Sequence, residues 1–164
     1  DAVFGADGNV WITDTSHDRI QVFAVEGECV QSIGTEGSGP GQFDEPVGLA
    51  AGTDGRIYVA DMYNARVQVL NADGTYNTEF PVEGWGGFEV SDKPYLEVLS
   101  DGRVAVSVPF SGLVRIYNPD GTAAGTISPA GQPLVTPYGM VETADGKLWV
   151  VEGGAARLRL FDIP

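Results

Sequence analysis

Four short segments share one pattern of apolar and polar positions: "IQVF" from Ile20, "VQVL" from Val67, "VRIY" from Val114 and "LRLF" from Leu158. Each reads apolar, polar, apolar, large apolar. A period of two predicts strands with one face in a core and the polar position facing water. Ahead of these segments stand four Asp-Gly pairs, Asp7-Gly8, Asp54-Gly55, Asp101-Gly102 and Asp145-Gly146, spaced by 47, 47 and 44 residues. Each pair runs straight into a further apolar stretch. A second turn signal follows the patterned segments at Glu26-Gly27, Asp73-Gly74 and Asp120-Gly121. Glycine there supplies the positive φ of a tight hairpin.

The chain is therefore an internal repeat. The second unit predicts four strands: near residues 47–51, then 57–60, 67–70 and 76–80. Hairpin links make each unit a four-stranded antiparallel meander. Such a sheet has two apolar faces and cannot stand alone. Stacking copies radially buries the faces, which gives an all-β propeller of four units, at about residues 1–33, 34–80, 81–127 and 128–164. No helical pattern separates the strands, which argues against a parallel sheet. In register the chain begins inside a first strand and stops before a fourth. This predicts either part of a longer ring or a ring completed by other copies, with open blade edges prone to self-association.

Composition sharpens this. The chain of 164 residues holds 9 basic and 23 acidic side chains, a net charge of -14. Such a surface repels phosphate backbones, so nucleic acid is not an expected partner. The 23 glycines and 10 prolines are interleaved with Val, Ile, Tyr and Trp, as many short strands with tight turns require. No apolar run is long enough to span a bilayer, so no membrane insertion is expected within this chain. No export signal stands at its start, and any such signal is expected outside it. The single Cys29 cannot form an internal disulfide and leaves the compartment undetermined.

Residues 37–74, "GSGPGQFDEPVGLAAGTDGRIYVADMYNARVQVLNADG", carry a more specific signal. A Gly-rich lead-in with Phe43 is followed by Pro46 and Gly48, an apolar strand, then Asp61, Asn64, Arg66 and Val67. The stretch resembles an NHL repeat. The first unit matches through Asp14 and Arg19, with His17 in place of the Asn. The fourth matches through Pro137, Gly139, Glu152 and Arg157, with Ala155 in place of the Asn, and the third is degenerate. The resemblance implies a propeller, six-bladed in most members, that serves as a binding platform. Some members bind RNA through a basic face, from which this acidic chain departs. A related six-bladed group comprises lyases and lactonases with a metal in the central channel.

Internal comparison decides how to read Asp61 and Arg66. The pair recurs as Asp14 with Arg19 and as Glu152 with Arg157. In the third unit both charges are absent together, replaced by Val108 and Leu113. A catalytic group is needed once per ring. A structural pair recurs, and is lost as a couple because one partner left behind strands a charge. These six residues are accordingly expected to fix the turn between the second and third strands. The variable positions of that turn are Ser16, Tyr63, Phe110 and Gly154, then His17, Asn64, Ser111 and Ala155. Such loops open on one face of a propeller, beside the long links at residues 34–46, 81–94 and 128–137, and loops carry function. Tyr63, Phe110 and Trp85 are expected to form an aromatic rim suited to a peptide or a sugar ring, with His17 and Asn64 beside it. The alternative for Trp85 is that it packs down on the blade edge.

Other chemistry is weakly signalled. His17 is the only histidine, and no Cys pair or calcium-loop pattern accompanies it, so neither metal nor cofactor is expected. Ser16, His17 and Asp18 are consecutive, and sequence neighbours rarely point at one another as a triad requires. The glycines at 37, 39 and 41 lack the helix start and Lys of a phosphate loop. The expected function is a non-catalytic module displaying a site for a protein, peptide or glycan. The alternative is a lyase or lactonase whose channel-metal ligands lie partly outside this chain. An exported or cell-surface location is expected, with a cytoplasmic one left open.

Overall fold

Each Asp-Gly pair closes a hairpin. Gly8, Gly55, Gly102 and Gly146 take φ of 83°, 83°, 87° and 77°. These are left-handed conformations that a Cβ penalises. The aspartate before the glycine braces the turn: the Asp54 carboxylate accepts the Arg56 N–H at 3.0 Å, as Asp101 does for Arg103.

A computed structural model describes residues 1–85, 93–129 and 131–164. The turns link four antiparallel sheets. The first comprises β1 (Ala2–Phe4), β2 (Val10–Asp14), β3 (Arg19–Phe23) and β4 (Cys29–Ile33). The second has β5 (Pro46–Ala51), β6 (Ile57–Asp61), β7 (Arg66–Leu70) and β8 (Tyr76–Pro81). The third is β9 (Leu96–Val98), β10 (Val104–Val108), β11 (Leu113–Tyr117) and β12 (Ala123–Ile127). The fourth holds three strands, β13 (Pro137–Glu142), β14 (Lys147–Glu152) and β15 (Arg157–Asp162). Within every sheet the spatial order is the chain order, a plain meander. First strands of successive sheets touch, β1 with β5, β5 with β9 and β9 with β13. This is the all-β propeller arrangement, four blades side by side around their inner strands.

Alternation sets which face meets which blade. Trp11, Ile20, Val22 and Ile33 of blade one share a core with Phe43, Leu49, Ile57, Val59 and Leu70 at blade two. The opposite face of blade two, with Tyr58, Ala60, Val67 and Val69, packs on Val104 and Val106 of blade three. Blade three turns Ala105, Val114 and Ile116 to Leu148 and Val150 of blade four. On the other face of blade four, Val141, Trp149, Val151, Leu158 and Leu160 are exposed. A fully buried Leu, Ile or Val contributes about 1.5–3 kcal/mol, so the three interblade cores hold the arrangement together.

In blade two the strands run one residue further than the sequence pattern marks, because Asp61 and Arg66 are themselves register partners at the ends of β6 and β7. The same holds for Asp14 with Arg19 and Glu152 with Arg157.

Candidate functional site

The Asp61–Arg66 pair anchors the link into blade two. Arg66 Nε donates to Asp61 Oδ2 at 2.7 Å. Its two remaining nitrogens reach backbone: Nη1 donates to Ser38 O at 2.7 Å, and Nη2 to Gly39 O at 3.0 Å and Gln42 O at 2.9 Å. Nη1 also pairs with Glu79 at 2.9 Å. Asn64 Nδ2 donates to Asp61 and to Gly37 O at 2.9 Å. Asp61 Oδ1 in turn accepts the Asp44 N–H at 2.8 Å. A planar guanidinium with five donors suits a row of carbonyls, and the buried carboxylate balances its charge.

Gln68 completes the cradle. Its side chain donates to Asp61 and to Gln42 O and accepts the Gly41 N–H at 2.9 Å. The strand pattern predicts this position to be wet; instead Gln68 is fully buried under the link. The register-equivalent residues hold the next two links: Arg115 Nε donates to Glu83 O at 2.9 Å and Arg159 Nη1 to Gln132 O at 3.2 Å. Sequence reasoning missed this role. The signal was present as a donor, Gln or Arg, at the same polar position of all four strands.

Elsewhere the pair is more open. Glu152 is buried and accepts the Val135 N–H at 2.9 Å and both Nε and Nη2 of Arg157 at 3.0 Å. The Arg157 guanidinium holds the Glu152 carboxyl below its usual range, against the opposing effect of burial. In blade one Arg19 Nε donates to Asp14 Oδ2 at 2.8 Å and Gln21 Nε2 to the same oxygen at 2.7 Å. His17 Nδ1 lies 2.7 Å from Asp14 Oδ1. The His17 and Arg19 hydrogen bonds pull the Asp14 carboxyl down to about 2.

The turn between the second and third strands closes through a left-handed residue in every blade: Asp18 (φ 52°), Ala65 (52°), Gly112 (63°) and Ala156 (48°). Only at position 112 is glycine also required by space, since a Cβ there would lie 2.4 Å from Leu134 O. The turn projects the preceding side chains outward. Phe110 is 81% exposed and Tyr63 38%. His17 is exposed as well.

One of the expected rim residues does not belong to it. Trp85 is buried in the core between blades two and three, its indole N–H donating to Ser107 O at 3.0 Å. The glycine at 84 lets the link dip, and a Cβ there would lie 2.8 Å from Val108 Cγ1. The ring therefore fills the gap between sheets, and its rim assignment is corrected to the blade-edge alternative. Asn64 lies in the same turn as Tyr63, its amide nitrogen donating to Asp61 and Gly37 O. The remainder of the link that contains Trp85, residues 86–92, lies outside the described residues, as does residue 130 in the link expected at 128–137. Among the described residues no three His, Cys, Asp or Glu side chains are grouped to hold a metal ion, and no helix is long and apolar enough to cross a membrane.

Comparison with known proteins bears on the fold. The NHL repeat family matches residues 43–70, which run from Phe43 through the end of β7. No curated protein matches the chain in sequence. Among solved structures, a streptogramin B lyase is 19% identical with a TM-score of 0.72, covering 99% of this chain and 54% of its own. Virginiamycin B lyase from Staphylococcus aureus, in an inactive variant with quinupristin, is 18% identical with a TM-score of 0.73 over 99% of this chain and 55% of its own. Hydrazine synthase from Kuenenia stuttgartiensis is 13% identical with a TM-score of 0.76 over 98% and 45%. The chain thus spans about half the length of the structures it resembles. At such identities the likeness speaks to fold alone. Residues 43–70 of blade two match an NHL repeat, and the same meander and turn geometry recurs in its three neighbours, so the chain is a β-propeller with an NHL repeat in its second blade.

Proposed function

We propose that the chain is a non-catalytic binding module whose ligand, a protein, peptide or glycan, docks on the turn face that displays Tyr63 and Phe110. One observation carries the reading: two aromatic rings stand at the same register position of adjacent blades, and both are exposed, Phe110 at 81%. A ring kept in water on a rigid turn offers stacking area at low entropic cost. The acidic surface suits ligands without exposed phosphate and an exported or cell-surface setting.

The test is capture from arrays of oligosaccharides and peptides, repeated with Phe110→Ser and Tyr63→Ser. The expected result is a ligand whose retention falls at least about tenfold in either variant, at unchanged thermal midpoint, as loss of an aromatic anchor does. Capture that ignores both substitutions would sink the proposal. A second reading draws on the structural likeness to virginiamycin B lyase, an enzyme seen with quinupristin. Incubation with quinupristin and chromatography separates the two: conversion of the compound would replace binding by catalysis.

A further inference from the structure

Tyr63 stands beside two acidic side chains that the fold does not use. Its backbone N–H donates to Asp44 O at 3.2 Å, and the Asp44 N–H donates to the Asp61 carboxylate at 2.8 Å. Blade four makes the same two bonds with Val135 in place of Asp44: the Gly154 N–H donates to Val135 O at 3.2 Å and the Val135 N–H to Glu152 at 2.9 Å. The backbone alone therefore performs the structural task, and the Asp44 carboxylate is surplus to it. Glu45 precedes Pro46 as Lys93 precedes Pro94 and Thr136 precedes Pro137, so the fold requires no negative charge at that position either. Among the described residues, no side chain forms an ion pair with Asp44 or Glu45. No Lys or Arg occurs between Arg19 and Arg56 to supply one locally. Burial, followed by the charges of Asp18 and Asp61, pushes the Asp44 carboxyl above its usual range. Negative charge is thus crowded beside an exposed ring with no cationic side chain of the molecule's own to relieve it.

We propose that the turn face receives a peptide through an arginine, whose guanidinium lies on the Tyr63 ring and pairs with the Asp44 and Glu45 carboxylates. The proposal rests on the turn-face reading and narrows its ligand from a protein, peptide or glycan to an arginine-bearing peptide segment. The molecule's own cation–π contacts display the arrangement. Arg56 stands 5.9 Å from the centre of the Tyr58 ring and donates to Asp54 at 2.6 Å. Arg159 stands 4.9 Å from the centre of the Phe161 ring, with Glu152 at 3.5 Å. Each time a ring, a guanidinium and a carboxylate come together. At Tyr63 the ring and the carboxylates belong to this chain, and the guanidinium is the partner's to bring. Arginine fits better than lysine because its planar group stacks on a ring while its fork holds a carboxylate. A neutral glycan offers no charge to match. A metal ion asks for more ligands than this, and among the described residues no three acidic, His or Cys side chains converge. Register also tells Tyr63 from Phe110. Lys93, at the position of Glu45, opposes a cation at blade three, which leaves Phe110 to contact an apolar part of the same peptide. The net charge of -14 draws a basic segment toward the molecule.

The probe is the end-blocked peptide Gly-Gly-Arg-Gly-Gly, titrated at low salt into the isotope-labelled chain. The Tyr63 ring and the Asp44 and Glu45 carboxyl carbons are followed by NMR. Saturable shifts are expected there with a Kd on the order of 10 mM, the range for one anchoring residue on a flexible peptide. Glu26 and Glu28, exposed carboxylates at the other end of blade one, should show no saturation. Citrulline in place of arginine keeps the shape and removes the charge, and should weaken binding at least about tenfold. The double variant Asp44→Asn with Glu45→Gln should do the same at unchanged thermal midpoint. Equal binding of the citrulline peptide, equal binding by the double variant, or no saturation at Tyr63 up to about 50 mM would each overturn the arginine site. If the double variant does not fold, the citrulline peptide reads the same charge pairing on the unaltered chain. The two readings fail separately. Array capture that depends on Tyr63 and Phe110 but selects ligands without arginine would sink this proposal and leave the turn face standing.

Discussion

Blades two and three hold their incoming links by opposite chemistry. Blade two buries Asp61, Arg66 and Gln68 and lets them grip backbone carbonyls of a glycine-rich link. Blade three has Val108 and Leu113 at the paired positions, and its link answers with Val82 and Trp85, packed in the same apolar cluster as Val108. Polar bonds remain from Arg115 to Glu83 and from the Trp85 indole to Ser107 O. The difference shows that the ion pair and the link form one unit. A link that presents carbonyls needs the guanidinium, a guanidinium needs the carboxylate, and when the link turns apolar all three change together.

Arg66 and Trp85 anchor the two links and carry the largest expected effects. Arg66→Ala strands the buried Asp61 and uncovers the link, and should cost about 3–5 kcal/mol in urea unfolding. Trp85→Ala should cost a similar 3–5 kcal/mol by a cavity instead. A loss below about 1 kcal/mol at either residue would mean that its link is held elsewhere. Next comes coupling. The double variant Asp61→Ala with Arg66→Ala should cost less than the sum of the singles by about 1–3 kcal/mol, as for groups in one network. Strict additivity would dissolve the pair as a unit. The smallest effect belongs to the open copy in blade one. Asp14 titrates near 2 when folded, against an ordinary 3.8. A depressed carboxyl stabilises the fold above its unfolded pKa and loses that contribution as pH falls through its folded one. The gap in urea midpoint between wild type and Asp14→Asn should therefore be full above about pH 4 and shrink toward pH 2. A gap constant with pH would contradict the assignment.

The fold was legible because its determinants are local. Asp-Gly pairs dictate hairpins, period-two segments dictate strand faces, and a recurrence of 47 residues between Asp7, Asp54 and Asp101 dictates equivalent blades. The pairing of Asp61 with Arg66 was legible for the same reason, being a register contact across one turn. What escaped was the third dimension of the links. Nothing local says that the stretch at 37–42 lies over Gln68, so a polar strand position that looked wet is dry. Trp85 escaped likewise, since its burial depends on Val108 in the next blade and not on its own neighbours in sequence. Tyr63 and Phe110, by contrast, were readable as exposed because a two-strand turn leaves its tip in water.

The three tryptophans sample two seams and one exposed face. Trp11 is enclosed between blades one and two, Trp85 between blades two and three, and Trp149 lies half in solvent on the outer face of blade four. Stacked repeats contact only their neighbours, so their seams can open one at a time. Single-tryptophan versions of the chain would turn this placement into optical reporters. Emission from Trp11 or Trp85 would redden as its own seam opens, and quenching of Trp149 would register whatever settles on the last blade.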